Sequence, residues 1–143
     1  MREIDKWIYQ RVFGSDYETI SMIGVSDKRE LYVQLKHVFD VEMVDYDIRF
    51  NEDEDIISKD VVFDDVKLNE LIINFACEKM WPIGKMYKGR EFILVGDNGR
   101  NNGDCNPITS CEQLAEQNEL TEVYAQSEFK RWRGKHYVVY GCN

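Results

Sequence analysis

Two stretches of this 143-residue chain hold residues whose types and spacing could do chemistry. One is VDYDIRFNEDEDIISKDVVFDD, Val44 to Asp65, crowded with carboxylates. The other is GDNGRNNGDCNP, Gly96 to Pro107, rich in Gly, Asn and Asp. Massed carboxylates could chelate a cation, act as an acid–base pair, or draw in a cationic partner. A glycine-rich loop that follows a strand could cradle a phosphate.

Most of these chemistries fail on spacing. Asn51, Asp53 and Asp55 occupy positions one, three and five of an EF-hand register, but Ile56 stands where the sharp turn needs glycine and Val62 where the bidentate Glu belongs. The loop carries neither GxGxxG nor GxxxxGK[ST], so nucleotide-phosphate binding is not signalled, and Gly, Asn and Asp also suit a plain connecting loop. As a ligand loop its working residues would be Asp97, Asn98, Arg100, Asn101 and Asp104, of which Asp97, Asn101 and Asp104 could form a loose calcium site. Nucleophilic catalysis needs a thiol or hydroxyl, a base and an orienting group. The two histidines, His37 and His136, have no local sequence that joins them to Cys111 or Cys142. Cys77, Cys105, Cys111 and Cys142 lack Cys-x-x-Cys spacing and read as reduced thiols, with Cys105 and Cys111 the pair to form if the protein is exported. No catalytic residue, metal or cofactor is signalled.

Charge is distributed unevenly. Residues 40–70 hold twelve acids against three bases, so this window carries the whole net charge of −9, and outside it fifteen acids face fifteen bases. In an extended segment Asp45 and Asp47 point the same way, about 6.7 Å apart, and Glu52 to Asp55 continue the row. A solvated acidic edge also discourages strand-to-strand aggregation. A segregated field of one sign speeds encounter with a cationic surface and rejects wrong partners. The short basic run FKRWRGKHY near the C-terminus has the opposite sign.

The elements that must position these residues follow from periodicity. Ile4, Trp7, Ile8 and Val12 share a helical face over Arg2–Phe13, and YETISMIGV reads as a strand. Asp27 and Glu30 form a capping box for a second helix carrying Leu31, Leu35, Val38 and Phe39. Val44, Tyr46, Ile48 and Phe50 alternate with charged residues as a half-buried strand, Asn51 to Asp55 turn, and IISKDVVF returns. Leu68, Leu71, Ile72, Phe75 and Ala76 predict a central helix over Asp65–Met80, stopped at Trp81-Pro82. REFILVG is an apolar strand, Ser110 with Gln113 starts a helix running to about Leu120, and EVYAQSEFKRWRGKHYVVYG is a hairpin.

Without regular βαβ alternation, these elements predict an α+β single domain over residues 1–143, with a mostly antiparallel sheet and three to four helices. The expected function is a non-enzymatic acidic interaction protein, of the immunity-protein or anti-defence inhibitor kind. It would dock a basic surface of a nuclease or other nucleic-acid-binding protein through Asp45, Tyr46, Asp47, Glu52, Asp53, Glu54 and Asp55. Direct nucleic-acid binding is disfavoured because phosphates would be repelled. The alternative is a small-molecule-binding domain or minor enzyme using the Gly96–Pro107 loop. No apolar run approaches the roughly 20 residues of a membrane span, and the opening residues lack a secretory signal, so a cytoplasmic location is expected.

Overall fold

The computed structural model describes residues 1–24, 29–45, 56–58, 67–98, 104–132 and 134–143. They form two compact units, Met1–Ile72 and Ile73–Asn143.

The first unit opens with α1, Glu3–Val12, which buries Ile4, Ile8 and Val12 on one stripe. The guanidinium of Arg11 lies 4.5 Å from the ring centroid of Trp7, on the helix's wetter side. Gly14, at φ +83, lets the chain turn out of the helix into β1, Thr19–Ile23. Helix α2, Arg29–Lys36, buries Leu31 and Leu35 and packs against α1. Strand β2, Asp40–Asp45, lies parallel to β1, pairing Thr19 with Asp40 through to Ile23 with Val44. Strand β3, Ile56–Ser58, lies parallel to β2.

Strand β4, Leu71–Asn74, carries the chain from the first unit into the second. It is followed by 3-10 turns at Cys77–Lys79 and Ile83–Lys85, then β5, Glu91–Asp97, and α3, Cys111–Gln117. The long hairpin of β6, Glu122–Arg131, and β7, Gly134–Cys142, completes it. Hydrogen-bonded neighbours run β3-β2-β1-β4 in the first unit and β4-β5-β7-β6 in the second, where β5, β7 and β6 are antiparallel.

The strands therefore make a mixed arrangement with a parallel half, and the expected mostly antiparallel α+β fold is corrected to an α/β one. Two local readings account for the error. IISKDVVF does not return antiparallel; its described part, β3, runs parallel to β2. The central helix over Asp65–Met80 is absent from the described part, 67–80, where Leu71, Ile72, Ile73 and Asn74 form a strand buried at every position. A strand covered on both faces reads as an unbroken apolar run, and such a run also supplies residues at helical spacing. Three α-helices among the described residues agree with the expected three to four.

The expected helix at Ser110 forms. The Ser110 hydroxyl accepts from the Gln113 amide at 3.0 Å, and the Gln113 side chain reaches back to the Thr109 amide. At its other end Asn118, 1% exposed, accepts from the Gly84 amide and donates to the Leu114 carbonyl, both at 2.9 Å. Asn118→Ala leaves the buried Gly84 amide without an acceptor. It should cost about 1–3 kcal/mol, seen as a lower urea midpoint with an unchanged slope.

Candidate functional site

The carboxyl ends of parallel strands are where open α/β sheets gather ligands, at the point where strand order reverses. In the first unit that reversal falls at β1, because β2 and β3 build outward on one side and β4 returns on the other. Gly24 follows β1 directly at φ +69, a conformation that L side chains rarely adopt, so the chain turns sharply off the strand. Its amide donates to the Val44 carbonyl at 3.3 Å, which holds the two strand ends level. Asp45, the last residue of β2, stands next to that carbonyl. A strand, a glycine turn, a helix and a second strand thus bring a glycine and an acid to one edge.

The second unit builds a different cluster. Asn74 ends β4, its Oδ1 accepting from the Ala76 amide at 2.9 Å, and this turn leads into Cys77 and Glu78. The chain beyond β5 folds back onto them: the Cys105 and Asn106 amides both donate to the Glu78 carbonyl at 2.9 Å, and the Asn106 side chain donates to the Cys77 carbonyl. Asp97, 4% exposed at the end of β5, is bound by Arg131 from the end of β6 and lies 3.9 Å from His136 Nε2 of β7. Glu78 is 6% exposed, and its Oε2 has no hydrogen-bond partner.

Burial pushes the Glu78 carboxyl up to about 7; Asp104 adds to the effect, while Lys79 and Arg131 oppose it. Burial likewise raises the Cys77 thiol, with the Glu78 charge adding, and the Cys111 thiol, which donates to the Ser127 and Val138 carbonyls. All four cysteines are free. Among the described residues no three His, Cys, Asp or Glu side chains are placed to hold a metal ion.

Of the residues singled out from sequence, Asp45 lies at the end of β2, while Tyr46, Asp47 and Glu52 to Asp55 lie outside the described residues. Asp97 and Asp104 fall in the second cluster. Asn98 braces the hairpin instead, its Oδ1 accepting from the Lys135 amide at 2.7 Å and its own amide donating to the Lys135 carbonyl. Arg100 and Asn101 lie outside the described residues. Gly24 and Glu78 carried no functional reading from sequence, and Arg131 was read only as part of the basic run FKRWRGKHY. The strand–glycine–helix–strand–acid order from Gly24 to Asp45 was the available signal for the first; the false central helix hid the second.

No family model and no curated protein matches the sequence. Solved structures do match the fold. The chain is similar to the S-adenosylmethionine-dependent methyltransferase SibL in its apo form, at 9% identity and TM-score 0.62, covering 96% of this chain and 54% of that one. It is similar to the Burkholderia thailandensis 1,6-didemethyltoxoflavin-N1-methyltransferase with bound 1,6-didemethyltoxoflavin and S-adenosylhomocysteine, at 12% identity and TM-score 0.65, covering 99% of this chain and 78% of that one. It is similar to human N-acetylserotonin methyltransferase in complex with S-adenosylmethionine, at 9% and 0.61, covering 99% and 52%. The chain thus spans about half the length of SibL and of the human enzyme. At these identities the likeness establishes the fold. These neighbours overturn the reading as a non-enzymatic acidic inhibitor of the immunity-protein or anti-defence kind: the architecture is one that these methyltransferases share, and the weighed alternative of a small-molecule domain or minor enzyme fits it better. Among the described residues no helix is long and apolar enough to cross a membrane.

The state of Glu78 sets a pH dependence. Its native pKa of about 7 exceeds the ordinary 4.5, so the native state keeps a proton that the unfolded chain releases, and stability falls as pH rises from about 4.5 to about 7. Glu78→Gln imitates the protonated form. It should match wild type near pH 4 and exceed it at pH 8 by on the order of 2 kcal/mol, read from urea titrations at the two pH values.

Proposed function

We propose that this chain binds S-adenosylmethionine, or its product S-adenosylhomocysteine, at the carboxyl ends of β1 and β2 and serves methyl transfer to a small molecule. The observation that carries this is the bond from the Gly24 amide to the Val44 carbonyl, which brings the glycine turn after β1 beside Asp45 at the end of β2. In α/β folds that bind adenosine cofactors, the glycine turn after the first strand admits the ligand against the backbone, and an acid about 20 residues on takes the ribose hydroxyls. Asp45 stands at that distance, on the neighbouring parallel strand.

The residues present suit a nucleoside without phosphates. Dinucleotide sites need further glycines so that backbone can approach the pyrophosphate. Here the segment between β1 and α2, GVSDK, has one. An acidic window of net −9 repels phosphate but not a sulfonium cation. Bound there, S-adenosylmethionine would supply an electrophilic methyl group; Gly24 and Asp45 would hold its adenosyl part. The likeness to methyltransferases over nearly the whole chain supports the same reading.

Titration calorimetry tests it. S-adenosylhomocysteine should bind and NAD should not. Asp45→Ala should weaken binding about ten- to a hundredfold, the worth of hydrogen bonds to a charged acceptor. Absence of binding at millimolar S-adenosylhomocysteine, or equal affinity in Asp45→Ala, would overturn the assignment.

A further inference from the structure

Strand β6 ends the strand order of the second unit: β7 lies along one side of it, and among the described residues no strand lies along the other. The direction of its backbone groups follows from β7. The Lys135 amide and carbonyl both bond to Asn98, on the β5 side of β7, so neither is turned toward Lys130, the register partner of Lys135 in β6. Antiparallel pairs alternate between bonded and non-bonded. Lys130, Glu128 and Gln126 therefore turn their backbone groups to the open edge, while Arg131, Phe129 and Ser127 bond to β7. The side chains of Gln126, Glu128 and Lys130 are exposed, and Phe129 is half-buried. A register shift between Val123 and Ala125 interrupts the ladder, so the regular stretch is 126–131. An open edge is a template for a further strand, and charges along it exclude any strand that does not match them.

We propose that the edge of β6 pairs antiparallel with β6 of a second copy of this chain, about a two-fold axis at Phe129. Few registers are open, because edge-facing residues must stand opposite edge-facing residues. An axis at Ser127 or earlier draws the shifted Val123–Ala125 segment into the pairing. An axis at Glu128 or at Lys130 sets that residue against its own copy, and like charges directly opposite destabilise a sheet. The axis at Phe129 does neither. It places Glu128 opposite the second copy's Lys130, and Lys130 opposite the second copy's Glu128, with each pair exchanging its backbone bonds. Glu128 is held on this face by Lys135 of its own hairpin at 3.1 Å, so its carboxylate is already in place. Phe129 meets its own copy at the closer, non-bonded position, where two aromatic side chains cover each other. The sequence Glu128-Phe129-Lys130 is thus complementary to itself read backwards, which is what a two-fold interface requires.

Sedimentation velocity of the full chain over a concentration series tests this, with urea titration checking that each variant folds. The wild type should dimerise. Glu128→Lys and Lys130→Glu should each raise the dimer Kd about tenfold or more, because each sets like charges opposite one another on both sides of the axis. Mixing these two variants should restore association as a heterodimer, and the double exchange of Glu128→Lys with Lys130→Glu should restore it within one chain. A chain that stays monomeric at millimolar concentration would overturn the proposal and leave the edge to a strand of some other protein. A dimer that neither single variant weakens would overturn it equally, placing the interface elsewhere, and failure of both the mixture and the double exchange to recover would exclude the pairing about Phe129.

Discussion

One carboxylate sets the topology of the first unit. Glu70 Oε1 accepts from the Glu18 amide at 3.1 Å, the Thr19 amide at 3.3 Å and the Thr19 hydroxyl at 3.2 Å, while the Thr19 hydroxyl accepts from the Glu70 amide. One residue earlier, the Asn69 amide donates to the Ser21 hydroxyl at 2.9 Å and its side chain to the Ile20 carbonyl. The chain has by then built β2 and β3 on one side of β1 and must come back to the other side. Closing a loop of some fifty residues costs about 3.5 kcal/mol beyond a fixed term. A set of bonds to one charged acceptor at the start of β4 offsets that cost and aligns β4 with β1. The reversal of strand order, which falls at β1 beside Gly24, depends on this return.

The same residue shows why a tally of charge misled. Glu70 belongs to the acidic window, yet its carboxylate is occupied by backbone donors. Asp40 and Glu42 are rungs of β2 and Asp45 ends it. What looked like one field for a partner includes acids with separate duties, and the duty follows from position in the strands.

Buried polar groups divide the second unit into parts that stabilise and parts that cost stability. Asn118 pairs both the Gly84 amide and the Leu114 carbonyl, joining the end of α3 to the turn at Gly84. Glu78 does the opposite, holding an unpaired oxygen where water does not reach it. Strain of this kind persists where the surrounding structure over-determines it, and it gathers at sites of binding and catalysis. The backbone bonds from Cys105 and Asn106 to the Glu78 carbonyl supply that determination.

By itself the sequence determined the amphipathic pieces. The stripe of Ile4, Ile8 and Val12, the Ser110–Gln113 cap and the alternation of the terminal hairpin are local patterns whose period survives any tertiary context. The strand at Ile20 to Ile23 and the apolar run of β5 were legible for the same reason. Parallel pairing was not, because parallel partners are joined through a helix and no short-range turn announces them. The run Leu71 to Ile73 is ambiguous alone; burial on both faces makes it a strand, and burial is a property of its neighbours. Only tertiary structure brought the Gly24 amide to the Val44 carbonyl beside Asp45, or Arg131 to Asp97 and to the neighbourhood of Glu78, since those residues are separated by tens of positions and meet only once the strands are ordered.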